Sequence, residues 1–301
     1  MDMTIVALGA SLLAAMCQTI TDLGTKTATN KVDDTTILAV QWLSAACLLS
    51  LTTLTVYPNL IYDAHATITS LIKPGFMTLI FSSVILNILA YIFYIRSYRL
   101  SEASLIAPLT LLTPVLMLVT SPIMVGEQTP IVGIIGVVLT VIGVGLLDAK
   151  SNRFNFSNYL TFLHDPGARF MLIAAMLWSI TANIDKLGVR ASNPLLWITS
   201  LTIIIAICAS IYWLIVSRRS SDPRKLFYTI GSGGTLALGN LSLVWAMSIL
   251  FTPYVIAIKR LSALTTVLIG GKVLNENIKN RFFGASVMFI GSAMIILARS
   301  S

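Results

Sequence analysis

Residues 74–126 read PGFMTLIFSSVILNILAYIFYIRSYRLSEASLIAPLTLLTPVLMLVTSPIMVG. Two uncharged runs, 74–95 and 103–126, are parted only by a short segment holding Arg96, Arg99 and Glu102. A helix of about 20 apolar residues crosses the hydrocarbon of a bilayer. Backbone in lipid must satisfy its own hydrogen bonds, so each run predicts a transmembrane helix and the charges between them a tight turn at the membrane surface. The same pattern fills the chain. Further uncharged runs cover 3–21, 35–62, 128–147, 170–184, 191–217, 226–258 and 282–298. The run from 226 is too long for one span and continues past Lys259 to Gly271; Thr252-Pro253, an N-cap followed by proline at the first helical position, divides it. The expectation is an all-α polytopic membrane protein of about ten transmembrane helices, near 3–24, 35–56, 76–97, 103–125, 130–147, 169–189, 194–216, 226–249, 253–271 and 282–298.

Composition agrees. The 301 residues are 56% hydrophobic and 11% charged, against about 25% charged in soluble domains. That balance excludes a disordered chain, a nucleic-acid module and a disulfide scaffold. The net charge of +8 therefore belongs to membrane orientation and not to nucleic acid. Fourteen of the 20 Lys and Arg residues fall in loops after odd-numbered helices and four in the other loops and the C-terminus. The positive-inside rule then places the odd loops in the cytoplasm and both termini outside. A reporter fused at Ser301 that is active only outside the cytoplasm is the expected result; activity confined to the cytoplasm would reverse the assignment. Cys17, Cys47 and Cys208 lie in apolar runs without metal-ligand spacing and read as small core residues. The N-terminal run lacks a basic flank and reads as the first span.

Sliding the chain on itself uncovers a repeat. At an offset of 160, Leu12, Ala14, Ala15, Met16, Ile20, Thr21 and Lys26 fall on Leu172, Ala174, Ala175, Met176, Ile180, Thr181 and Lys186. Later, Glu127 matches Glu276 at 149, and Gly136 and Gly143 match Gly284 and Gly291 at 148. The halves are 1–150 and 165–301. Five helices is an odd number, so the second half enters the membrane from the opposite side, the arrangement of many secondary transporters.

With Glu127 and Glu276 closing the fourth and ninth helices and Gly133, Gly136 and Gly143 in the fifth, the chain resembles the EamA type of the drug/metabolite transporter superfamily. The resemblance implies a carrier with a central cavity lined mainly by the first, third, fourth, sixth, eighth and ninth helices. It also implies both termini inside, opposite to the charge distribution.

Ionisable residues within a span cost about 2.5 to 3.5 kcal/mol each on insertion scales and are functional candidates by default. Lys259-Arg260 lies about two turns into the ninth helix, roughly 10 Å below its start. Asp22, Asp185, Glu102, Glu127 and Glu276 are expected near helix ends, which leaves the pair without an obvious carboxylate. An anion-attracting cavity is one reading and an ion pair with another helix the other. Locally the pair resembles that of plastid phosphate translocators, which implies an anion site. Those carriers have a further lysine in the fourth helix; here no basic residue lies between Glu102 and Glu127, which points away from a doubly charged phosphate ester and leaves a carboxylate or other monoanion. The further substrate candidates are the mid-span polar and aromatic residues Gln18, Asn87, Tyr91, Trp178, Asn183, Asn240 and Trp245. Asp22 with Lys26, and Asp185 with Lys186, are candidate gating pairs or interface anchors. Pro108 and Pro114 should bend the fourth helix.

No constellation for catalysis, metal or cofactor is apparent: His65 and His164 sit in separate loops, and no span holds two carboxylates. The functional expectation is a secondary carrier of a small metabolite, anionic or carboxylate-bearing, as a monomer or homodimer in a bacterial inner membrane. An amino-acid or neutral-metabolite exporter is the alternative, and a lipid flippase or non-transporting scaffold the alternative of another class.

Overall fold

The structure is a computed structural model that describes residues 3–30, 32–56, 74–126, 131–147, 164–192, 194–216, 223–249, 258–274 and 279–298. Glu127, Glu276, the Thr252-Pro253 signal and most of the two long loops lie outside these residues. The described chain is helical: α1 (Met3–Thr29), α2 (Asp34–Val56), α3 (Pro74–Leu100), α4 (Ala103–Leu109), α5 (Leu112–Val125), α6 (Ile131–Leu147), α7 (Pro166–Ala191), α8 (Pro194–Val216), α9 (Pro223–Ile249), α10 (Leu261–Val273) and α11 (Lys279–Ala298). Helices over 3–29, 34–56, 75–100, 166–191 and 195–216 are each long and apolar enough to cross a bilayer unaided. The fourth expected span is two helices, α4 and α5. The protein is a ten-span, five-plus-five inverted repeat, an integral multi-pass membrane protein.

Packing repeats with the sequence. α1 lies on α9, and its counterpart α7 lies on α3. α2 meets α8, α4 meets α10, and α6 meets α11, each pair joining equivalent spans of the two halves. Exchanging the halves returns the same set of neighbours.

A close seam joins α6 and α11. A Cβ on Gly291 would stand 2.5 Å from the carbonyl oxygen of Gly136 and from Oγ1 of Thr140; one on Gly143 would stand 2.4 Å from Cγ of Met288 and 2.8 Å from the carbonyl oxygen of Gly284. The matched glycines thus cross: Gly143 abuts the Gly284 turn, and Gly291 abuts Gly136. In lipid, where apolar burial does not drive helix association, such backbone contact is what holds helices together.

Asp33 sets the start of α2. Its carboxylate accepts from the backbone N–H of Thr36 at 3.1 Å, from Oγ1 of Thr36 at 2.6 Å and from the Thr35 hydroxyl. Burial alone would push this carboxyl up, but the Thr35 and Thr36 bonds prevail and hold it below the ordinary aspartate value. A depressed folded pKa means stability that is present at neutral pH and lost as pH falls through that pKa. Asp33→Ala should therefore lower stability by about 1 kcal/mol at neutral pH, with the gap to the parent closing as the pH is taken below about 4. A gap constant with pH in thermal melts of purified protein would refute this.

Candidate functional site

The fourth span breaks between α4 and α5, and Arg260, the turn residue before α10, reaches the break. Between α4 and α5 the chain makes short-range bonds, Thr110 N–H to Ala107 O, Leu111 N–H to Pro108 O and Thr113 N–H to Thr110 O, at 3.2, 2.9 and 3.1 Å. Proline has no N–H, so Pro114 cannot bond the carbonyl four residues back, that of Thr110. Arg260 uses that carbonyl: its Nη1 donates to Thr110 O at 3.3 Å. Arg260 is itself the residue before α10, following helical Ile258 and Lys259. Broken helices are tolerated at membrane depth only where protein or a cavity receives the freed backbone, and here a guanidinium does.

The remaining Arg260 donors define the site. Nε is buried and, among the described residues, has no hydrogen-bond partner. Both Arg260 and Lys259 remain partly accessible, and among the described residues Lys259 makes no ion pair within 4.0 Å. Two neighbouring cations thus sit inside the bundle with an unfilled donor between helices.

Asp22 is the carboxylate facing Lys259. α1 continues to Thr29, so Asp22 lies two turns inside the helix, 3% exposed, and not at its end. The physical reason is local: Lys26, expected to stop the span, donates to the carbonyls of Tyr98 at 2.8 Å and Ser101 at 2.6 Å, so its charge is received within the protein and the helix runs on. The expected Asp22–Lys26 pairing therefore gives way to another. Asp22 Oδ1 accepts from Gln18 Nε2 at 2.9 Å and from the Tyr94 hydroxyl at 2.7 Å; Oδ2 accepts from Thr266 Oγ1 at 3.3 Å. Lys259 attracts it through space. The expectation that places Asp22 near a helix end is corrected accordingly; it faces Lys259 through space without an ion pair within 4.0 Å.

Aromatic rings adjoin this polar group. Tyr91 packs edge-on against Trp42, Tyr94 and Trp178 with centroids at 4.7, 5.5 and 5.7 Å. Among the residues expected from the sequence, Gln18, Asp22, Tyr91, Trp178, Lys259 and Arg260 are thus brought together. Others are elsewhere. Asn183 ties α7 to α5, accepting from Ser121 at 2.6 Å and donating to Thr120 at 3.0 Å. Asn87 donates to Ser83 within α3. Asn240 is half-buried on α9, and Trp245 is 41% exposed on its outer face. Asp185 points to α3 and α8, while Lys186 is exposed, so the second expected gating pair also separates.

Tyr94, Trp42, Thr110 and Thr266 belong to the site without having been expected. Only Thr110 had a readable signal, a threonine four residues before a proline in a span.

At the face of the odd-numbered loops the two halves are bolted together. Arg281 at the start of α11 bonds Glu102 before α4, and donates to Ser104 at 2.6 Å. Ser101 donates to Asp165 at 2.5 Å, and Asp165 in turn caps α7 by accepting from Ala168 N–H at 2.8 Å.

Comparison with known proteins follows this geometry. The profile of the EamA-like transporter family matches residues 5–147 and again 165–298. A protein of known crystal structure aligns with a TM-score of 0.66 at 14% identity, over 98% of this chain and 98% of its own; at that identity the likeness shows the fold alone. Among curated proteins none matches.

Proposed function

The chain belongs to the EamA-like transporter family, and from that premise we propose that it is a secondary-active carrier of a small anionic metabolite, most simply a monocarboxylate, bound at Arg260 and Lys259. It is an integral membrane transporter of the drug/metabolite type; the substrate class, the mechanism and a place in a bacterial inner membrane are the proposal. The single observation that carries it is the buried Arg260 Nε, without a partner among the described residues, beside Lys259, where Arg260 meets the broken fourth span. A buried donor left unpaired costs about 1 to 3 kcal/mol, and an anion that accepts from it removes that cost. The α4–α5 break presents a carbonyl to the site, and no basic residue lies between Glu102 and Glu127, which favours one negative charge over two.

The halves 1–150 and 165–301 rock about this site, opening it to one side at a time. The Glu102–Arg281 contact closes the odd-loop face. Saturable uptake of one labelled solute from a panel of small carboxylates, in liposomes holding purified protein, tests the reading. Non-saturating uptake, or single-channel conductance in planar bilayers, counts against it. Joining Glu102→Cys to Arg281→Cys by oxidation should stop uptake and reduction restore it; full uptake by the oxidised protein would rule out movement at that face.

One observation favours a second reading. Asp22, with the Tyr91–Tyr94–Trp178 aromatic cluster adjoining it, offers an ammonium group both a carboxylate and aromatic rings, so a zwitterion such as an amino acid fits the same site. Competition by an amino acid, but not by the carboxylic acid that lacks its amine, would select it. A flippase or scaffold is separated from both by the absence of soluble-solute uptake.

A further inference from the structure

A second carboxylate lies inside the membrane and takes no part in the anion site. Asp185 is on α7, six residues before the helix ends, or about 9 Å from that end at 1.5 Å per residue. Ser83 Oγ on α3 donates to its Oδ1 at 2.6 Å, and Trp197 Nε1 on α8 donates to the same oxygen at 3.2 Å. Among the described residues Oδ2 receives no hydrogen bond, and the residue remains partly accessible.

This arrangement differs from that of Asp22. Asp22 accepts on both oxygens and faces a cation, as an ionised carboxylate should. Asp185 accepts twice on one oxygen and keeps the other open, which is the pattern of a carboxylic acid: a carbonyl oxygen receiving donors and a second oxygen able to carry hydrogen. Among the described residues no charged group is opposed to it. α3 presents Ser83 and Asn87, with Arg96 and Arg99 toward its far end; α8 presents Trp197; α4 and α5 contain no ionisable residue; and Lys186, next along α7, is exposed.

The surroundings are built for this contact. Asn87 Nδ2 donates to Ser83 Oγ at 3.1 Å, which occupies the hydroxyl's acceptor side and leaves its hydrogen for Asp185. A Cβ on Gly188 would stand 2.3 Å from the Trp197 ring, so glycine there lets the indole lie against α7 and bring its N–H to the carboxyl. The repeat supplies a comparison within one molecule. The offset of 160 lays Asp185 on Thr25, and 149 lays Ser83 on Ser232. In the first half the same place is neutral: Gln41 Nε2 donates to Thr25 Oγ1 and to Ser232 Oγ, both at 2.7 Å. The fold therefore has an uncharged solution for this position, and packing does not call for an acid at 185.

We propose that Asp185 is a proton-binding site, at which the carrier takes up H⁺ on Oδ2 and releases it from the same atom as the two halves exchange faces. The site rests on the carrier reading only in its coupling to transport; proton binding itself can be measured with no substrate. An intramembrane carboxylate that gains a proton moves charge within the membrane. Liposomes holding the purified protein, adsorbed on a solid-supported electrode and subjected to a pH jump in sodium-free buffer without solute, should give a transient current. Cys47→Ala, at an exposed position in neither site, should keep the transient, and Asp185→Asn should reduce it to the level of protein-free liposomes. Asp185→Glu should keep it with a displaced pH midpoint, and this variant decides the matter where Asp185→Asn fails to fold. An undiminished transient in folded Asp185→Asn overturns the proposal, as does an unmoved midpoint in Asp185→Glu. A current that depends on Asp185 but follows a sodium jump at constant pH, with none on the pH jump, overturns it in favour of a sodium site.

Discussion

Arg260→Gln should weaken transport roughly 10- to 100-fold while the protein remains folded, whereas Lys259→Gln should lose folded protein that Asp22→Asn restores. The two neighbours differ because their surroundings differ. Arg260 gives one N–H to the Thr110 carbonyl and keeps Nε unpartnered, so glutamine removes an anion contact worth about 1.5 to 3 kcal/mol without stranding a charge. Lys259 faces Asp22 through space. Removing it leaves Asp22 buried with three neutral donors and no cation; breaking a buried pair in contact costs about 3 to 5 kcal/mol, and this separated pair should cost less but in the same direction. Yield of monodisperse protein and thermal melting report the folding effect, and the apparent KM of the carried solute reports the other. If both glutamine variants fold and transport normally, neither cation binds substrate. If Arg260→Gln loses fold and Asp22→Asn rescues it, the guanidinium is a structural partner.

The second large effect belongs to the α6–α11 seam. Gly291→Leu should abolish folded protein or lower its stability by about 3 kcal/mol or more. Its first new carbon meets backbone, the Gly136 carbonyl and the Thr140 amide at 2.5 and 2.6 Å, and backbone cannot turn aside as a flexible side chain can. Gly143→Leu should behave alike, because the crossing is symmetric and its Cβ meets the Met288 amide at 2.7 Å. Gly9→Leu is the control: nothing lies within 4 Å of a Cβ there, and a leucine on that lipid-facing turn should be neutral. Equal melting of Gly291→Leu and Gly9→Leu would show that the seam is not what holds α6 to α11.

The number of spans, the inverted halves and the family were legible in the chain because they depend on local quantities. An apolar run either is or is not long enough for hydrocarbon, and Gly136, Gly143, Gly284 and Gly291 recur at one offset whatever they touch. The break in the fourth span was likewise announced by Pro108 and Pro114. What surrounds Lys259 and Arg260 was not legible, because it depends on which residues of distant helices share a depth and a face. Asp22 read as a helix-end charge, since Lys26 follows it by one turn; only folding revealed that the Tyr98 and Ser101 carbonyls receive Lys26, which lets α1 continue and leaves Asp22 inside, opposite Lys259. By residue type and depth Asn183 had as good a claim to a cavity as Gln18, and Asn87 and Trp245 as good a claim as Tyr91. Rotation about the helix axis sorted them, and an apolar helix in lipid carries too weak an amphipathic pattern to reveal that rotation; it is settled by the neighbours against which each helix packs.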